Sequence, residues 1–366
     1  MFTTPGPDQK SLHSVQALRG IAAIMVVMFH AAAIWRESAM GAARFFGPWD
    51  QGYAGVDLFF VISGFIIVYV AGHRPAGLRT SARFMAARGL RIYPLWWIGC
   101  TLMALYFLLT YGVPASPDAG GGGSAWSRYA LSMSLWPFGD LPVLSVGWTL
   151  TFEIGFYVLF GLMLISVPSR WRVPIMGVWA VIILVAGALA DWEFQALPDG
   201  WTAWFVHPLC LEFIFGAVVA AYISQSQSKL FGTLLALSGG LALAGAFLVP
   251  HDVLSGQFPL YRVAAFGLPS AALLAGLVIL ERQSSLSVPT ILKRLGDMSY
   301  SLYLFHFLIL LGARRAFGLI GYSPGFWVFL ILGTGLCVVG SYAAWRLIER
   351  PLHLASRRYL ANKKSS

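Results

Sequence analysis

The sequence predicts an all-α, polytopic integral membrane protein with about ten transmembrane helices. Composition comes first: of 366 residues, 58% are hydrophobic and 11% charged, where a soluble domain carries about 25% charged residues. Mean hydropathy is +0.72. Apolar runs of about 17–25 residues recur between short polar joints, the length a helix needs to cross hydrocarbon. These features exclude a disordered chain, a coiled coil and a disulfide-rich secreted scaffold, and they argue against a soluble enzyme. The runs are continuous, not alternating, which argues against transmembrane strands.

The spans read as 15–36, 53–72, 93–111, 146–167, 172–190, 202–223, 230–249, 259–281, 299–320 and 325–347. Residues 1–350 form one membrane domain and 351–366 a basic tail. The net charge is +10, yet Lys and Arg sit in the joints, not on one amphipathic face, so no nucleic-acid partner is expected. With the N-terminus inside, Lys10, Arg19, Arg74, Arg79, Arg83, Arg88 and Arg91 lie on the inner side. So do Arg170, Arg172, Lys229, Arg282, Lys293 and Arg294. The tail adds Arg346, Arg350, Arg357, Arg358, Lys363 and Lys364. Arg36, Arg44, Arg128, Arg262, Arg314 and Arg315 fall outside. This bias predicts cytoplasmic N- and C-termini in a cytoplasmic membrane. The outer loop 191–200 carries Asp191, Glu193 and Asp199 without a basic residue. Ala31-Ala32-Ala33 after an apolar stretch superficially resembles a cleavage site, but the long basic region and His30 argue against a signal peptide.

Residues 74–91 read as an inner loop and 112–145 as the longest loop. Gly120 to Gly123 make the latter flexible, and Leu131 to Trp136 lie on the membrane surface or dip back into it. Cys100, Cys210 and Cys337 stand far apart in apolar runs and read as small buried hydrophobes. No metal site is expected.

A charge in mid-membrane costs about 2.5–3.5 kcal/mol on insertion scales, so ionisable residues within spans mark candidate sites. Arg19 and His30 lie in the first span, Asp57 opens the second, Glu153 lies in the fourth, His207 and Glu212 in the sixth and His306 in the ninth. Arg19 and His30 are eleven residues apart, which places them on one helix face about 16 Å apart. Arg88 and Arg91, at i and i+3, also share a face. Arginines at the inner mouth suit phosphates, which they grip bidentately. A deeper histidine suits general-base work near neutral pH. Glu153 and Asp57 are the expected partners of that histidine. A long ligand with phosphates at one end and a reactive acyl group at the other fits the Arg19–His30 distance. His207 and Glu212 do not share a face and read as core residues, and His306 reads as a core hydrogen-bonding group or a further site residue.

Several ordered blocks resemble the acyltransferase 3 family of membrane proteins. Val15 to Ala23 followed by His30 is similar to its opening, with Arg, ten residues, then His. Gly55 to Phe65 and Phe84 to Pro94, the latter with Arg88-x-x-Arg91, resemble the second and third signatures. Gly147 to Tyr157 resembles the block around the family glutamate, here Glu153. Thr149 and Ile154 depart from the usual residues there. Tyr300-Ser301-Leu302-Tyr303-Leu304-Phe305-His306 and Glu349-Arg350-Pro351 complete the set, which runs over nearly the whole chain. The first block also resembles the bacterial exopolysaccharide O-acetyltransferase branch.

The resemblance implies that 1–350 is a transmembrane acyltransferase domain. It implies transfer of an acyl group, usually acetyl, from cytoplasmic acyl-CoA to a hydroxyl of a cell-surface or lipid-linked glycan. His30 is the implied catalytic histidine, and Arg19, Arg88 and Arg91 are implied at the CoA phosphates. Direct transfer and an acyl-His30 intermediate both stay open, with Ser63 a further candidate acyl carrier and Tyr303 a further site residue. From a different class, a transporter or flippase for a saccharide or polyanion also uses intramembrane Arg, His and Glu, though paired halves are not evident. A non-catalytic assembly partner is a third reading, against which the ordered Arg/His motifs argue.

Overall fold

The computed structural model describes residues 12–38, 47–116, 124–190, 197–223, 228–249 and 259–362. Lys10, Arg44, Gly120 to Gly123, Asp191, Glu193, Lys363 and Lys364, which entered the charge and loop readings, lie outside the described residues. Among those described the chain is helical, with an isolated antiparallel bridge between Phe138 and Asp199. Among the described residues nine helices are long and apolar enough to cross a membrane, or ten when a bent pair is counted as one span.

Helix α1 (His13–Ser38) is the axis. It packs against α2 (Ala54–Ala71), α10 (Pro259–Arg282), α11 (Thr290–Asp297), α12 (Ser299–Leu319) and α13 (Phe326–Ala344). Burial follows: Ala22, Ala23, Val27, Ala31 and Ala32 are fully enclosed. Small side chains here let neighbouring backbones approach, which is how helices associate when lipid is as apolar as they are.

Helix α3 (Leu78–Tyr111) is longer than its apolar stretch. The expected inner loop 74–91 is helical from Leu78 onward. Gly77, at φ +154, sets the break before it, and the Ala-rich basic segment that follows favours helix. Gly112, at φ +76, ends α3 in a left-handed C-cap. The expected long loop 112–145 contains α4 (Ala125–Ser134), whose N-cap Ser124 accepts from Ser127 N. The end of α4 is fastened to α3: Trp96 and Trp97 donate their indole N–H groups to Ser132 O and Met133 O.

Helices α5 (Trp148–Ser166) and α6 (Ser169–Leu189) follow. The sixth expected span is two helices, α7 (Gly200–Val206) and α8 (Cys210–Tyr222), bent by 53°. The break falls at His207-Pro208-Leu209. Proline disfavours helix in the residue before it, and His207 is extended at φ −69, ψ 131. Helix α8 crosses α2 at very short range. A Cβ on Gly216 would lie 1.8 Å from Val61 O, and one on Gly64 1.9 Å from Phe213 O. Helix α9 (Lys229–Ala246) packs along α10.

Two helices carry a widened π turn. In α10 it spans Val263–Gly267, and after α13 it spans Trp345–Glu349, leading into α14 (Arg350–Asn362). The segment expected as a tail is therefore helical to Asn362, and it packs against α3. The Arg19 end of α1, the start of α3, the α5–α6 turn and α14 lie toward one face, called here the basic face.

Candidate functional site

Five helices enclose a cavity of about 640 Å³, mouth included. Helix α1 contributes Arg19, α2 Ser63, α3 Arg88 and Arg91, α5 Glu153 and Tyr157, and α12 Tyr300 and Tyr303. The i, i+3 pair on α3 turns both arginines toward α1, as their spacing implied. Three guanidiniums thus face one carboxylate in a mostly apolar wall, an arrangement that favours an anion.

Each group is held. Arg19 is buried and donates to Gln16 Oε1 at 3.4 Å. The Arg88 guanidinium lies over the Phe84 and Tyr157 rings, 5.5 and 5.4 Å from their centroids. Glu153 accepts from Tyr157 Oη one turn on, and from Ser63 Oγ at 3.3 Å. Ser63 therefore has a polar partner in the cavity wall, while its neighbour Gly64 makes the close helix crossing. Tyr300 braces α12 against α3 by donating to Ile92 O at 2.8 Å, and Tyr303 donates to Val146 O at 2.9 Å.

His30 does not line this cavity. It is half-buried three turns along α1 from Arg19, between the rings of Phe29 and Phe307. Its Nδ1 lies 3.0 Å from Val26 O and 3.1 Å from His306 Nε2. Nδ1 of His306 lies 3.1 Å from Leu302 O, and His306 is fully buried. Carbonyl oxygens only accept, so each Nδ1 carries a proton. The His30 Nδ1–H is then shared between Val26 O and the His306 Nε2 lone pair. Nε2 of His30 is left as an unprotonated base. Tyr303 connects this pair to the cavity: it lines the wall, and its ring centroid is 6.0 Å from that of His306.

The expectation that Glu153 or Asp57 orients His30 is corrected here. Glu153 is engaged by Tyr157 and Ser63. Asp57, fully buried, is gripped bidentately by Arg262 Nε at 2.8 Å and Nη2 at 2.9 Å. Arg262, read from sequence as an outer-loop charge, stands at the π turn of α10, over the Tyr53 and Trp148 rings. Glu212, also fully buried, faces the same Asp57–Arg262 pair. His207 sits at the helix break, its Nδ1 accepting from Leu209 N at 3.3 Å and its ring 5.0 Å from that of Phe152. The three cysteines are buried and unpaired.

Tyr157, Arg262 and the His30–His306 contact were missed by sequence reasoning. Tyr157 had a signal, since it follows Glu153 by four residues and so shares its face. The other two join segments more than 200 residues apart, where no periodicity reaches. Among the described residues no group of three His, Cys, Asp or Glu side chains is placed to hold a metal ion.

Comparison with known proteins gives the wider setting. Residues 12–346 match the family model described as an acyltransferase domain, of the acyltransferase 3 type. The exopolysaccharide production protein ExoZ of Rhizobium meliloti (strain 1021) is 30% identical over 325 residues, covering 82% of this chain and 89% of that protein. Nodulation protein 10 of Rhizobium leguminosarum bv. viciae is 27% identical over 383 residues, covering 95% of each chain. Acyltransferase MdmB of Streptomyces mycarofaciens is 27% identical over 345 residues, covering 87% of this chain and 84% of that one. No solved structure matches. The ordered motifs, the helical membrane fold and a family match over nearly the whole chain lead to one conclusion: the chain belongs to the acyltransferase 3 family of membrane acyltransferases.

Proposed function

We propose that this protein transfers an acyl group, acetyl in the first instance, from acyl-CoA to a hydroxyl of a cell-surface or lipid-linked glycan. His30 acts as the general base. The observation that carries this reading is the contact of His30 Nδ1 with Val26 O and His306 Nε2, which places a proton on Nδ1 and leaves Nε2 to act as the base. The relatives support the substrate classes, since one is named for exopolysaccharide production and another as an acyltransferase. The positive-inside bias supports a cytoplasmic membrane with both termini and the basic face in the cytoplasm. The donor would then enter at the Arg19 end and the acceptor from the His30 end.

The reaction balances without a further reactant. Nε2 of His30 takes the acceptor hydroxyl proton as that oxygen bonds to the thioester carbonyl carbon. The tetrahedral intermediate collapses, the C–S bond breaks, and the leaving thiolate takes the proton back from Nε2. Products are the glycan ester and free CoA. His306 Nε2 and Val26 O stabilise the transient imidazolium through its Nδ1–H, the part a carboxylate plays in a catalytic triad. Arg19, Arg88 and Arg91 hold the donor phosphates, and Glu153 with Tyr157 keeps Arg88 placed over its rings.

The experiment uses the purified protein with labelled acetyl-CoA, together with envelope glycans from a deletion strain. Expected results are loss of O-acyl groups in the strain and transfer by the wild-type protein. His30→Gln retains hydrogen bonding without basicity and should lose about 10²–10⁴-fold in rate. Near-normal transfer by His30→Gln would remove His30 as the base. A carrier, whose broken span the α7–α8 bend resembles, would instead move saccharide unmodified and leave the label on CoA.

A further inference from the structure

A second cavity, of about 940 Å³ with its mouth included, opens on the basic face. Arg19 and Arg91 line it as well as the first, so these two side chains stand between the two cavities. Trp345, Arg350 and His353 line its far side, over an apolar floor that includes Pro94 and Leu352.

We propose that this second cavity is the binding site for the 3′-phosphorylated adenosine end of the acyl-CoA donor, with Trp345 as base platform and Arg350 and His353 as phosphate contacts. The proposal rests on the acyl-CoA reading above. Its first argument is length. With the thioester near His30 and the pyrophosphate at Arg19, the span is about 16 Å, three helical turns of α1. An extended pantetheine arm is of comparable length, so it runs from Arg19 through the first cavity and past Tyr303 toward His30. The nucleoside then has to lie on the other side of Arg19 and Arg91, in the second cavity.

The second argument is chemistry. The Arg350 guanidinium lies 5.8 Å from the Trp345 ring centroid. The guanidinium lies over that ring, and an aromatic ring paired with a cation is how a purine and its phosphate are held together. Trp345 and Arg350 are five residues apart and would diverge by about 140° on a regular helix. The π turn Trp345–Glu349 closes with i to i+5 bonding, so it brings both onto one face. Arg350 and His353, at i and i+3, share that face of α14.

The third argument is charge. The cavity also holds Glu349 and Asp297, but both are used by the protein. Glu349 accepts from Ser301 N and Oγ, and Asp297 accepts from Gln16 Nε2 at 3.3 Å. Three arginines outweigh these two carboxylates. A phosphate ester at this face has two sources, the nucleotide or an anionic lipid headgroup, and the test separates them.

The full-length protein in zwitterionic nanodiscs is assayed with two donors, acetyl-CoA and acetyl-phosphopantetheine, which lacks the nucleoside. Adenosine 3′,5′-bisphosphate serves as competitor. Arg350→Ala and Trp345→Leu should each lower the ratio of kcat/KM for acetyl-CoA over acetyl-phosphopantetheine about tenfold. The bisphosphate should compete with acetyl-CoA in the wild type and lose potency in both variants. An unchanged ratio, an equal loss with both donors, or no competition by the bisphosphate overturns the site. So does an Arg350→Ala defect that appears only when anionic lipid is added, which assigns the cavity to a headgroup. In those cases transfer itself persists, so the acyltransferase reading survives. Failure of both donors to transfer, with no bisphosphate binding, overturns the donor reading and this site together.

Discussion

Replacing His306 by leucine tests the arrangement around His30 most directly. His306 Nε2 accepts from His30 Nδ1–H at 3.1 Å. That bond gains strength as His30 becomes an imidazolium in the transition state. A hydrogen bond to a charged group is worth about 1.5–3 kcal/mol, and each 1.36 kcal/mol is tenfold in rate. His306→Leu should therefore lower kcat by about 10- to 150-fold. Val26 O still accepts from Nδ1–H, so the tautomer survives and the loss stays below that of removing His30. His306→Gln presents an amide oxygen to the same Nδ1–H and should stay within several-fold of wild type.

Stability should run in the opposite order. His306 is fully enclosed, and leucine fills the space without polar atoms. Glutamine brings an amide N–H₂ into a site where Leu302 O is the near acceptor, and an unsatisfied buried donor costs about 1–3 kcal/mol. Initial rates with labelled acetyl-CoA at saturating donor give kcat, and thermal unfolding in the same detergent gives stability. Activity should rank glutamine above leucine, and stability leucine above glutamine. The double variant His30→Ala, His306→Leu should be no slower than His30→Ala alone, because His306 acts through His30. A His306→Leu protein with wild-type kcat, or leucine and glutamine variants equally slow, would refute this reasoning.

Further expectations follow from other parts of the structure. Arg88→Ala with Arg91→Ala should weaken acetyl-CoA binding at least about tenfold, and Arg88→Lys should also weaken it because lysine lacks the bidentate fork; equilibrium binding with unchanged affinity would count against a phosphate role. Gly216→Ala pushes a methyl to within 1.8 Å of Val61 O and should destabilise by about 1–3 kcal/mol, whereas Gly240→Ala meets nothing within 4 Å and should not; thermal unfolding compares the two. Arg262→Met leaves buried Asp57 and Glu212 without a guanidinium and should cost about 3–5 kcal/mol. Adding Asp57→Asn should restore part of that stability, and a double variant no more stable than Arg262→Met would show that charge is not the cause.

The reach of the sequence reading depends on how local each signal is. Span length and apolarity are properties of about twenty consecutive residues, so the membrane fold was legible. Arg19 with His30, and Arg88 with Arg91, were legible for the same reason: helical periodicity fixes the relative direction of residues on one helix. The extension of α3 to Leu78 was less visible, because its Arg-rich segment reads as a joint by charge but as helix by propensity, and propensity prevailed once Gly77 supplied the break. The partner of His30 was not legible. Choosing a carboxylate followed from the charge an imidazolium needs, yet the fold spends Asp57 on Arg262 and Glu153 on Tyr157 and Ser63. A membrane-embedded carboxylate beside His30 would keep a full charge buried through the whole cycle. A second neutral imidazole has no such standing cost and still offers a lone pair when His30 takes its proton. In a low-dielectric interior that difference favours His306 as the orienting group, and it explains why a residue whose sequence reading stood between core and site lies beside the proposed base.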